Sequence, residues 1–254
     1  MITSTHAYAA HKKQSVELLD FAVLVCHAVP ELKRTARLIE KGTVAHLARP
    51  DYFGGQHPAA QLRDHAKRYK SDLAIHIVLS SFALFDGYFQ QACREVLTFH
   101  GGAKLIATRL SQLRAQLAAT LPNERHADFA QLRDYVKPHK KVAYRAAIDR
   151  IKRGGYSLPS AFFSGHGVLH LERLLNDGVR ARQIPELMKE CFDFDLGARA
   201  QDYSRIRNLR NKLAHSERTT CALKTAMKDA KTLRSIVVEF DAHLVRQFLV
   251  IEWV

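Results

Sequence analysis

The side chains best suited to chemistry on a phosphate sit together in 205-RIRNLRNKLAHSER-218. Arg210 and Asn211 are adjacent, and His215 follows four positions after Asn211. An imidazole has an unperturbed pKa of about 6.5 and can move protons at neutral pH. A guanidinium is planar, permanently charged and able to grip two phosphate oxygens at once, so it can stabilise charge building on phosphorus. An asparagine can orient the imidazole or hold a phosphate oxygen. Those are the needs of a reaction in which the 2′-OH of RNA attacks the adjacent phosphorus. A bare Arg-x4-His is expected about once by chance with 23 Arg and 14 His in the chain. Placing one of only 4 Asn directly after the Arg lowers that expectation to about 0.02.

On a helix, Asn211 and His215 at i,i+4 share a face. Arg210 and His215 are five apart, about 140° around the axis. They do not sit side by side, which points to a site assembled across a two-fold axis. The plain alternative is structural: Asn211 and His215 capping the helix end, Arg210 paired with an acid. Arg207 and Lys212 read as flanking charges that could reach an RNA backbone. Asp86, on an apolar helix, needs a partner if buried, and Arg210 or His215 is a candidate; a place at the bundle edge is the alternative. Arg94 and His100 form a looser match, but Glu95 follows the Arg and Gly-Gly follows the His, so they read as a helix end. His166 and His170 stand at i,i+4 with Glu172 nearby, but two His with no third converging ligand are a weak metal signal, so no metal is expected, and no cofactor.

Charge gives the second hint. Lys and Arg number 39 against 25 Asp and Glu, a net of +14 and a pI near 9.8. Such an excess attracts nucleic acid, acidic lipid or an acidic protein without choosing among them. The densest cluster is 137-KPHKK-141, and Lys137, Lys140 and Lys141 are expected to bind substrate rather than do chemistry; a solvated helix end is the alternative. The longest apolar run, Leu73 to Phe85, is too short to span a bilayer, and no signal peptide precedes it. Four dispersed cysteines with no CxxC fit reduced thiols. Together these imply a cytoplasmic protein with no membrane partner.

The elements that must position these groups read as helices. Gly at 12 and Pro at 7 are sparse punctuation, which favours long helices over strands and turns. Residues 8–47 carry two helices broken at Pro30, and 48–58 is a loop. A helix apolar nearly all round is expected from about 59 to 99, stopped by Gly101-Gly102. Helices follow at 103–120 and 125–153, then a Gly- and Ser-rich loop at 154–167. Shorter helices are expected at 167–180 and 184–192, a turn at 193–197, and a helix at 198–214. The last helix, 220–252, is capped by Thr219 or Thr220. No strand alternation appears, so the fold class is an all-α helical bundle, read as a single domain.

The Arg-Asn-x3-His pattern resembles the R-[polar]-x3-H motif of the HEPN superfamily, and 74-AIHIVLSSFALFDGYFQQACREVL-97 is similar to the apolar helix that precedes the motif in its RiboL-PSP branch. The resemblance covers a core of about 60–100 plus 198–252. It leaves a helical insertion at 101–197 and N-terminal helices at 1–58 unaccounted for. It implies a metal-independent endoribonuclease working as a homodimer, with Arg210, Asn211 and His215 as the catalytic set and Asp86 in support. A toxin or antiviral defence effector, with an antitoxin or defence-system partner, is the implied setting. A non-catalytic module of the same fold that binds RNA or protein is the alternative. Where some relatives carry a Tyr two residues after the His, this chain has Glu217, which argues against modification of that tyrosine by a nucleotidyltransferase partner.

Overall fold

The computed structural model describes residues 3–46, 59–106, 108, 165–215 and 220–249. Among them no strand occurs, and the fold is all-α. The helices are α1 (His6–Glu40), α2 (Ala59–Phe99), α3 (Gly165–Asp177), α4 (Ile184–Phe192), α5 (Arg199–Ala214) and α6 (Leu223–Gln247), with a 3-10 turn at Ala181–Gln183 before α4. Two compact units share these helices. One comprises Met1–Ala10, Asp86–Ser204 and Ser235–Val254; the other comprises His11–Phe85 and Arg205–Arg234.

The stop at Gly101-Gly102 is present. Gly101 adopts φ +84°, and the Gly102 N–H reaches back to Leu97 O at 2.7 Å. Only a residue without Cβ takes that left-handed turn cheaply.

Three expectations need correcting. Pro30 lies inside α1 and does not divide it. An interior proline costs about 3 kcal/mol, and packing on both sides of it, at Ala22 and Cys26 before and Ala36 after, holds the helix through. Thr220 does not cap α6: the helix starts at Leu223, with its first bond from the Ala226 N–H to Ala222 O at 3.0 Å. Thr219 lies outside the described residues. Finally, α2 is long and apolar enough, by length and composition alone, to cross a membrane. His and Ser interrupt its run but leave the average high enough for a span. In the structure Ala74, Ile77, Phe82, Phe85 and Phe89 are fully enclosed by protein.

The first unit is centred on Phe240. Its ring stacks on Phe89 at 5.8 Å and meets Phe192 and Phe194 edge-on at 5.5 and 5.3 Å, geometries that aromatic quadrupoles favour. Polar side chains secure the helix ends around it. Thr5 Oγ1 accepts the Tyr8 N–H at 2.9 Å and donates to buried Asp241 Oδ1 at 2.5 Å. Glu95 accepts the His6 and Ala7 N–H groups at 2.8 and 2.7 Å. The first-turn donors of α1 are thus answered by a hydroxyl and a carboxylate, the two groups a helix N-terminus favours. C-terminal carbonyls are answered by cations and imidazoles. Arg94 donates to Leu175 O, His243 to Phe192 O and His100 to Phe248 O, at 3.0, 2.6 and 2.5 Å.

The second unit packs four helices. Ala22 of α1, Leu73, Ala74, Ile77 and Val78 of α2, Leu213 of α5, Ala226 of α6 and Cys221 form its core. His11 is enclosed with them, 5% exposed. Burial, reinforced by the charge of Arg234, pushes its imidazole down to about 4. The unfolded chain takes up this proton near pH 6.5, and the folded chain only near 4. Stability from this site is therefore complete above pH 6.5 and falls as the pH drops toward 4. The loss should be about 2 kcal/mol after allowance for solvent screening. Urea midpoints at pH 7.5 and 4.5 should converge in His11→Gln relative to the wild type. An unchanged gap between the two midpoints would remove His11 as the source.

Candidate functional site

α5 buries Tyr203, Ile206 and Leu213 on one stripe and half-buries Leu209, which fixes the helix against the second unit's core from 205 onward. The rotation of that stripe decides where the polar residues point. Arg210 and Asn211 are half-buried, and Lys212 and His215 are exposed. The His215 N–H still bonds Asn211 O at 3.0 Å, so the helical register runs from the Arg-Asn pair to the imidazole.

Arg210 is held in place from two directions. Its Nη1 donates to Asn211 Oδ1 at 3.1 Å. Its guanidinium lies over the ring of Phe82, 5.6 Å from the centroid, and Phe82 is fully buried in α2. A cation on an aromatic face gains roughly 0.5–2 kcal/mol and keeps its charge available to an anion. Among the described residues no carboxylate forms an ion pair with Arg210. Among the described residues Arg210 meets Asn211 and Phe82 rather than an acid. One turn earlier Arg207 Nη2 donates to Asn208 Oδ1 at 3.2 Å, a second Arg-Asn pair of the same form.

Asp86 is half-buried on α2 and belongs to the first unit, whereas Arg210, Asn211 and His215 belong to the second. Lys137, Lys140, Lys141 and Glu217 lie outside the described residues, as do the side chains of His166 and His170. Among the described residues no three His, Cys, Asp or Glu side chains group so as to hold a metal. Arg94 and His100 are engaged with backbone carbonyls, as a helix end requires.

Two supports escaped the reading of the sequence. Phe82 gave no signal beyond apolarity. Arg205 forms a bidentate pair with Asp229 of α6, at 2.6 and 3.1 Å, and Asp229 is 1% exposed. The signal for that pair was present, because Asp229 falls on the buried stripe of α6 between Ala226 and Leu233. A charge on such a stripe must be paired. Burial, with the Asp229 charge adding to it, pushes the Cys221 thiol up, which keeps it protonated rather than nucleophilic.

The chain matches no family model, no curated protein and no solved structure.

Proposed function

We propose that the chain is a metal-independent endoribonuclease of the HEPN type, in which Arg210, Asn211 and His215 act on the scissile phosphate. The observation that carries this is a cation fixed by Phe82 and Asn211, with no described carboxylate paired to it, five residues before an exposed imidazole. His215 moves protons to and from the attacking and leaving oxygens. Arg210 meets the charge on the phosphorane, and Asn211 holds Arg210 in position. The products are a 2′,3′-cyclic phosphate and a 5′-OH. Cytoplasmic RNA is the substrate, in the setting of a toxin or antiviral defence effector held by an antitoxin or defence partner. Purified protein should cleave RNA in EDTA and leave those ends. Intact RNA would instead favour the alternative, a non-catalytic module binding RNA or protein. The angle of about 140° between Arg210 and His215 on one helix speaks for that alternative if the chain acts as a monomer.

The same angle makes a homodimer part of the proposal. The apolar stripe of α6 does not supply the interface, since Leu233, Ile236, Val237, Phe240 and Leu244 are buried within the chain. α1, in contrast, exposes Phe21, Val23 and Leu24, at 48%, 57% and 63%. If each site takes Arg210 from one protomer and His215 from the other, mixing Arg210→Ala with His215→Ala protomers rebuilds one intact site in each mixed dimer. Random exchange should then restore about a quarter of wild-type activity. No recovery after confirmed exchange, or a fully active monomer by sedimentation, would contradict the shared site.

A further inference from the structure

We propose that the outer face of α6, formed by Lys224, Lys228, Lys231 and Arg234, is the track that holds the sugar-phosphate backbone of single-stranded RNA, an assignment that rests on the ribonuclease reading above.

Helical geometry aligns these four side chains. At 100° per residue, Lys224, Lys228 and Lys231 fall within about 60° of one another, and Arg234 lies about 60° further round. At 1.5 Å per residue they cover about 15 Å of helix. All four are exposed. The opposite stripe, including Ala226 and Leu233, is buried, so the helix cannot roll to hide them. The acid that interrupts the row, Asp229, is turned inward and clamped by Arg205. None of the four forms an ion pair with a described carboxylate. A row of cations without counter-charges suits a polyanion that releases condensed counterions on binding.

A cavity adjoins the end of the row. Lys231 and Arg234 line it together with His11, Ser15 and Ser81 over an apolar floor that includes Leu18, and no carboxylate is among its lining residues. Its volume is about 70 Å³, less than half of the roughly 150 Å³ that admits a benzene ring. Its polar lining is of two hydroxyls, an imidazole and two cations; Ser15 Oγ and His11 Nε2 already meet at 3.4 Å, so Lys231 and Arg234 are the donors a phosphate oxygen would meet there. Burial, with the Arg234 charge adding to it, keeps His11 neutral there.

The test uses a labelled 2′-O-methyl oligonucleotide, which cannot be cleaved, so binding is read apart from catalysis. Anisotropy titrations across a salt series compare the wild-type chain with Lys224→Ala/Lys228→Ala/Lys231→Ala. A control, Lys12→Ala/Lys67→Ala/Lys70→Ala, removes equal charge from exposed positions on α1 and α2. The ridge variant should bind about 10–100-fold more weakly, and its slope of log affinity against log salt should flatten by about 2, at 0.7 per lost phosphate contact. The control should keep the wild-type slope, and the corresponding triple Lys→Arg ridge variant should bind as the wild type does. An unchanged slope in the ridge variant, an equal loss in the control, no binding by the wild type, or tighter binding to duplex DNA of the same length would each overturn the assignment. Ridge-dependent binding in a protein that cleaves no RNA would sustain the track and refute the ribonuclease.

Discussion

His215→Ala is expected to slow RNA cleavage by about 10²–10⁴-fold, the usual contribution of a positioned general acid or base. The fold should survive. His215 lies one residue past the end of α5 and is exposed, and its N–H bond to Asn211 O is a backbone one that alanine keeps. Surface changes of this kind shift stability by about 0.5 kcal/mol or less. Single-turnover rates at saturating RNA in EDTA, beside thermal melts of both proteins, separate the two quantities. A folded His215→Ala protein within about threefold of the wild-type rate would remove the imidazole from the chemistry.

The largest effect on stability is expected at Arg205→Ala, at about 3 kcal/mol. Asp229 is 1% exposed, and its carboxylate accepts both guanidinium bonds. Removing the guanidinium leaves an uncompensated buried charge. The reverse change, Asp229→Ala, should cost less, because the Arg205 side chain is 45% exposed and can be hydrated when released. Joining the two substitutions should recover part of the Arg205→Ala loss, since the stranded charge is then gone. Urea unfolding of the two single variants and the double variant measures this cycle. If Arg205→Ala lies within about 0.5 kcal/mol of the wild type, the pair does not hold α5 to α6. Because α5 also carries Arg210 and His215, loosening this clip should lower cleavage as well as stability.

Among the described residues the sequence by itself determined most helices and most helix ends; the helices expected at 103–120 and 125–153 lie, beyond residue 108, outside them. Local rules suffice for these. Spacing of three and four residues marks a face to be buried, and a glycine able to adopt positive φ marks a stop, as at Gly101. The position of the Arg-Asn-x3-His set near the end of α5 was legible for the same reason. Pro30 was misread because a local rule counts only the lost backbone bond. Packing of Ala22, Cys26 and Ala36 is a non-local energy, and it prevails. The start of α6 was misread because a threonine at position 220 looks like a cap, whereas the approach to the core at Cys221 delays the helix to Leu223.

Only the tertiary structure decided which polar groups meet. Asp86 was weighed as a partner for Arg210 on sequence alone, yet the guanidinium lies on the ring of Phe82, four residues earlier on the same helix. Sequence spacing gives the angle between residues on one helix but not the rotation of a neighbouring helix against it, and a shift from position 86 to 82 is one turn. Asp229 and Asp241 stood on the buried stripe of α6 in plain view. That each needs a partner follows from the cost of burying a charge; that the partners are Arg205 for one and Thr5 with Tyr88 for the other follows from packing across more than 20 and more than 150 residues of chain. The lysine ridge divides the same way. Its spacing is written in the sequence, but its freedom from counter-charges depends on where the neighbouring helices place their carboxylates, and that is a property of the folded chain.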